Sequence, residues 1–133
     1  MSVARESRLV VGAAVLETRN WEAIQDYADS LVPAARYCSD DLAVYSEVLW
    51  PTTPEGTVSS HVISIGKEET HTIEGINADL RTYLGRLRRR SRCFSRSVEG
   101  LRRAVRLFVW HYNRRQRILN RQPKLKSHLC LLF

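Results

Sequence analysis

The sequence predicts an α/β chain with a small sheet and a helical, Arg-rich C-terminal third. Three observations carry that prediction. Short β-type runs alternate with helical stripes through the first half of the chain. Two long apolar stripes at helical spacing then fill residues 73–112. The apolar run LVVGAAVL, Leu9 to Leu16, is short enough for a strand and too short for a membrane span.

The elements can be justified in order. Leu9 to Leu16 is uninterrupted by polar residues and Val-rich, so it reads as a strand buried on both faces. Asn20 is a plausible N-cap with Glu22 in the first turn behind it. Trp21, Ile24, Ala28 and Leu31 then recur at helical steps, and Pro33 stops the helix. Ala35 to Cys38 is a second short strand, ending at Ser39-Asp40-Asp41. Leu42 to Trp50 looks helical, with Tyr45, Val48 and Leu49 on one side. Pro51 to Gly56 is a loop on composition. Val58 to Ile65 alternates His61, Ile63 and Ile65 and reads as an edge strand.

The next two helices have the clearest patterns. Ile73, Ile76, Leu80, Tyr83, Leu84 and Leu87 share one stripe, while Glu74, Asn77, Arg81 and Arg88 lie on the neighbouring polar face. After an Arg-rich break, Ser95 or Ser97 can cap a long helix with Glu99 near its start. Val98, Leu101, Val105, Phe108, Val109 and Tyr112 form its core stripe, and Arg102, Arg103, Arg106, Arg114 and Arg115 sit outside it. Pro123 ends the pattern, and an apolar tail follows.

Composition narrows the function. The chain has 133 residues with 44% hydrophobic and 26% charged residues, as expected of one globular domain. Its start is broken by Glu6 and Arg8 and lacks a signal-peptide layout, so a cytoplasmic location with no membrane partner is expected. Three cysteines, Cys38, Cys93 and Cys130, form no C-x-x-C and argue against a disulfide framework or structural zinc. The net charge of +7 hides an asymmetry. Residues 1–78 carry five basic and twelve acidic residues, a balance of −7, whereas residues 79–133 carry sixteen basic and two acidic, a balance of +14. Fourteen of those sixteen are arginines, whose forks match phosphate geometry. Nucleic acid is therefore the first partner to consider, and a merely solvated helical face is the plainer alternative.

Glycine-rich phosphate loops, G-x-S-x-G and H-E-x-x-H are absent from the sequence. Cys38, beside a strand, suits a small buried apolar residue better than a nucleophile. Cys93 sits among arginines but has no base nearby in sequence. The carboxylates are more informative. Asp40 falls just past a strand, where α/β sheets place ligand-contacting groups. Glu74 falls near a helix start with Asn77 and Arg81 following on its face. Oxygen donors converging from a strand end and a helix suit Mg²⁺, although an acidic turn and a surface glutamate would look the same.

Two segments carry a family resemblance. Tyr37-Cys38-Ser39-Asp40-Asp41-Leu42-Ala43-Val44-Tyr45 resembles the Y-x-(S/T)-D-x-x-x-x-Y segment of insertion-sequence-one family transposases. Glu69-Thr70-His71-Thr72-Ile73-Glu74-Gly75-Ile76-Asn77-Ala78-Asp79-Leu80-Arg81 resembles that family's E-T-x-x-I-E-x-x-N-x-x-L-R helix. Tyr83-Leu84, Arg86-Leu87, Arg92 to Ser97 and Phe108 to Asn113 continue the match, which spans roughly residues 5–117 in order.

The resemblance implies a ribonuclease-H-like fold with a D-D-E triad that binds Mg²⁺ or Mn²⁺ and drives DNA strand cleavage and strand transfer. Asp40 matches the second Asp and Glu74 the Glu, with 33 residues between them. Asp41 is a local rival for Asp40. Asn77 and Arg81 would support the site. Arg81, Arg88, Arg89, Arg90, Arg92, Arg96, Arg102, Arg103 and Arg106 would face DNA, meaning the element ends and the target. The family's first Asp lies on its first strand, and no Asp precedes Asp26 here. Leu9 to Leu16 matches the family's third strand. The expectation is thus a partial ribonuclease-H-like fold lacking its first two strands, with residues 1–118 as a truncated catalytic domain and 119–133 as a tail. Such a chain would leave the strand edge at Leu9 to Leu16 open and would depend on a homo-oligomer or a complementing transposase chain. A non-catalytic DNA-binding regulator or an inactive remnant is the alternative.

Overall fold

The computed structural model describes residues 1–57, 59–64, 70–87 and 97–124. The chain divides into two compact units, residues 16–74 and residues 1–15 with 75–133.

In the unit of residues 16–74, helix α1 (Trp21–Asp29) starts as its sequence dictates. The Asn20 side chain accepts from the Ala23 amide, and Glu22 occupies the first turn. Ile24 and Ala28 are buried and pack with Val48, flanked by Val44, Tyr45 and Trp50. Strand β3 (Arg36–Ser39) pairs in parallel with β4 (Ser60–Ile63), with Tyr37 opposite His61 and Ser39 opposite Ile63. Trp50 stacks on both Tyr37 and His61, with ring centroids 4.8 and 4.7 Å apart. Buried Ser59 sets its hydroxyl against the carbonyls of Ala34 and Pro51, which anchors the start of β4. Of the predicted strand Val58 to Ile65, residues 60–63 pair, and Val58 and Ile65 lie outside the described residues.

The predicted helix Leu42 to Trp50 is a correction. Only Ala43–Ser46 coil, as a single 3₁₀ turn. The reason lies in α1, whose side chains take the backbone groups a longer helix would need. The Gln25 carboxamide donates to the Leu49 carbonyl and accepts from the Leu49 amide, both at 2.9 Å. The Trp21 indole donates to the Glu47 carbonyl at 3.1 Å. Leu49 is 73% exposed, so it does not join Val48 in the core.

In the other unit, β1 (Ser2–Val3) and β2 (Val10–Gly12) form an antiparallel pair closed by a turn in which Arg8 adopts φ +56°. This too differs from expectation. The run Leu9 to Leu16 supplies only a short strand, and Val11 is 48% exposed rather than covered on both faces. Gly12, Ala13 and Ala14 have little side chain to bury and low strand preference, which ends the pairing. Nor is the strand edge left open. The Asn113 carboxamide accepts from the Val10 amide and donates to the Val10 carbonyl, both at 2.8 Å. Among the described residues the strands therefore form two separate two-stranded sheets rather than one.

Helix α2 (His71–Tyr83) buries Ile76 and continues into a 3₁₀ turn at Gly85–Leu87. Helix α3 (Val98–Arg121) is capped by Ser97, whose hydroxyl accepts from the Gly100 amide at 3.0 Å. Of the two serines named as caps, Ser95 lies outside the described residues. Val105 is the buried centre of the α3 stripe, and Phe108 lies 6.4 Å from Tyr83 and 6.1 Å from Tyr112. Tyr83 is 68% exposed, so it covers Phe108 from the rim.

The Asn113 clamp makes a prediction. Replacing Asn113 with Ala removes both hydrogen bonds and leaves two backbone groups of Val10 without a side-chain partner. Hydrogen exchange at the Val10 amide should accelerate about tenfold or more. Unchanged exchange at Val10 would show that the clamp does not hold the hairpin.

Candidate functional site

Asp40 is the first residue after β3, at the C-terminal edge of the parallel pair, and it is exposed. Its surroundings are built by three neighbouring side chains, Tyr37, Ser39 and His61. Tyr37 is fixed by its stack on Trp50 and by its hydroxyl, which donates to the Val32 carbonyl at 2.8 Å. Ser39 donates its hydroxyl proton to the Asp40 carbonyl at 2.9 Å. The same oxygen lies 2.9 Å from His61 Nε2. With the hydroxyl proton committed to the carbonyl, His61 Nε2 is the donor in that contact. Ser39 and His61 are thus a brace for the Asp40 backbone, not a nucleophile and its base. Burial lowers the His61 pKa from its ordinary value, which keeps the ring neutral for that role.

Tyr45 follows one turn later, on the 3₁₀ segment. Burial raises its phenol pKa, the Asp40 carboxylate raises it further, and Arg19 opposes both. The two acids differ in position: Asp40 directly follows the strand, and Asp41 stands in the bend beyond it.

Glu74 occupies the first turn of α2 and is exposed, with its amide donating to the Thr70 carbonyl at 3.0 Å. The helix is continuous through Tyr83, so Glu74, Asn77 and Arg81 stand at i, i+3 and i+7 along one face. Asn77 is half-buried and Arg81 exposed. Both carboxylates fall within residues 16–74.

Carboxylate oxygens are the donors that Mg²⁺ takes, and one or two protein carboxylates with substrate phosphates are a usual set. Asp40 and Glu74 fit that donor chemistry, and both are accessible. No group of three or more His, Cys, Asp or Glu side chains converges among the described residues. The described residues thus include two accessible carboxylates of the right kind but no cluster of three such side chains.

The basic residues divide. Arg102, Arg103 and Arg106 are exposed along α3, where Arg103 pairs with Glu99 at 3.1 Å. Arg88, Arg89, Arg90, Arg92 and Arg96 lie outside the described residues, as do Cys93 and Cys130. The structure also draws attention to residues that periodicity did not single out. Leu107 and Trp110 are 66% and 58% exposed on α3, with the Arg114 guanidinium 5.6 Å from the Trp110 ring centroid. Their apolar side chains default to a core reading in sequence. Only the helical phase, opposite Val105 and Phe108, signals otherwise. No helix among the described residues is long and apolar enough to cross a membrane.

The His61 brace is testable by pH. Above pH 6.5 the imidazole is neutral in both the folded and unfolded chain, and its contribution is fully present. As pH falls below 6.5 the unfolded chain takes up the proton first, so stability is lost through the lower, folded pKa. Thermal unfolding from about pH 7.5 to about pH 5.5 should drop further for the wild-type chain than for His61→Gln. Equal drops would remove His61 from the account.

Comparison with known proteins gives one family. The family model described as IS1 transposase matches residues 5–116. No curated protein and no solved structure matches the chain.

Proposed function

The chain belongs to the IS1 transposase family, and on that premise we propose that it supplies Asp40 and Glu74 to a metal-dependent centre for DNA strand cleavage and strand transfer. The observation that carries the proposal is the placement of Asp40. It ends a parallel strand, braced through Ser39 and His61, in the segment that matches the family pattern. A Mg²⁺ or Mn²⁺ ion in such a centre would stabilise the charge of an in-line phosphoryl displacement. This chain's own contribution is to hold two carboxylates. Asp40 is held by the strand end and Glu74 by the first turn of α2. Asn77 and Arg81 follow on the Glu74 face and would orient the carboxylate and meet a DNA phosphate.

The remaining carboxylate of a D-D-E set has no Asp to supply it before Asp26. We assign that role to residues outside these 133, contributed by a complementing transposase chain. The ribonuclease-H-like fold is part of the same proposal, with residues 1–118 as catalytic-domain portion and 119–133 as tail. DNA would be held by Arg81, Arg102, Arg103 and Arg106, together with Arg88, Arg89, Arg90, Arg92 and Arg96.

A second reading is favoured by one observation: no three His, Cys, Asp or Glu side chains cluster among the described residues. In it the chain binds DNA through its arginines and regulates transposition without cutting.

Complementation separates the two. A family transposase disabled at its own second Asp and its Glu is mixed with this chain, Mg²⁺ and DNA carrying element ends. The catalytic reading expects nicking to return with the wild-type chain and with Asp41→Asn. Asp40→Asn and Glu74→Gln should each lose it by about 10³-fold or more, because the metal clamp loses a ligand. DNA binding that weakens steeply with salt but never restores nicking would support the regulator instead. Nicking that survives Asp40→Asn would end the site assignment.

A further inference from the structure

The exposed face of α3 carries a stripe that neither the core nor the proposed cleavage centre uses. Arg103, Leu107, Trp110, Arg114, Arg117 and Arg121 recur at alternating steps of four and three, so they line one side of the helix. All six are exposed. The stripe runs for about 27 Å at the ordinary helical rise. Four of its six members are arginines, and its aromatic member sits in the middle, with Arg114 set against the ring at 5.6 Å.

We propose that this stripe is a binding platform for single-stranded DNA, with Trp110 stacking on an unpaired base and the arginines following the phosphates. The inference rests on the reading of the chain as a DNA-binding protein and adds the form of DNA that this face takes. The charge fixes the class of partner. A second copy packed stripe to stripe would set arginine against arginine, so self-association on this face is opposed. A polyanion is complementary to its arginines, of which Arg103 also pairs with Glu99. The indole selects among polyanions. Stacked duplex bases offer no free face to a side chain lying outside the grooves, whereas an unpaired base does. An exposed Trp among arginines gives stacking and backbone attraction at neighbouring points, which is the physical pattern of single-strand binding. The Arg114 guanidinium lies over one face of the Trp110 ring, 5.6 Å from its centroid, so a cation sits beside the stacking position.

The test measures binding of the full chain to an oligothymidine and to a blunt duplex of equal length. Trp110→Ala should bind the single strand about five- to one-hundredfold more weakly, the loss of one stacked base, and keep duplex affinity within about twofold. Trp110→Phe keeps a stacking face and should retain most single-strand affinity. Arg117→Ala should flatten the salt dependence for the single strand by about 0.7 in slope. The position is exposed, and circular dichroism of each variant checks that the helix persists. Equal losses on both DNAs, or no loss on either, would overturn the proposal. So would vesicles of anionic lipid binding the chain with the same dependence on Trp110. The cleavage proposal fails separately, if complemented nicking ignores Asp40 and Glu74 while the single-strand preference stands.

Discussion

The Trp50 indole between Tyr37 and His61 is the contact on which the candidate site depends. Two parallel strands alone have little cohesion, because each is an edge and neither has a sheet to join. Trp50 stacks on cross-strand partners and so fixes their register. That register pairs Tyr37 with His61 and leaves Ser39 diagonal to His61, within hydrogen-bond reach, and Ser39 in turn holds the backbone of Asp40. The indole N–H of Trp50 is buried with no partner among the described residues. Leaving such a group unpaired costs about 1–3 kcal/mol, so the stack must more than offset it. A slip of one residue would turn Ser39 away from His61 and move Asp40 off the strand end.

Charge organises the rest. The acidic half holds the two carboxylates assigned to cleavage, and the basic half holds the arginines assigned to DNA. Residues 79–133 carry a balance of +14, too large for a helix whose described acidic residue, Glu99, pairs with a single arginine. Long-range attraction would bring DNA to the chain, and the exposed carboxylates would meet it only where a cation offsets their repulsion. On the proposed function, a division of labour of this kind would account for the opposite signs of the two halves.

Much of this was legible in the sequence, and the reason is local chemistry. Asn20 and Ser97 cap as their side chains require, and Pro33 and Pro123 each follow a helix end. Asp40 was placed at a strand end because Ala35 to Cys38 is bounded by Ser39-Asp40-Asp41. The misreadings all involve side chains that reach across the fold. Gln25 and Trp21 satisfy the backbone of Glu47 and Leu49, so a helical-looking run stays uncoiled. Asn113 does the same for Val10 from 103 residues away. The hairpin turn at Arg8 has a positive φ without the glycine that would advertise it. The Tyr37–Trp50–His61 stack joins three segments, and no spacing rule links them.

The central claim is that Asp40 and Glu74 serve one metal-dependent centre. Iron-directed cleavage tests it most directly. Fe²⁺ replaces Mg²⁺ in the assembly of this chain, the complementing transposase and element-end DNA, and peroxide then cuts the backbone beside the bound metal. The account predicts that this chain is cut near both residue 40 and residue 74, and that excess Mg²⁺ suppresses both cuts together. Cuts at only one of the two positions, or cuts that Mg²⁺ does not suppress, would contradict it.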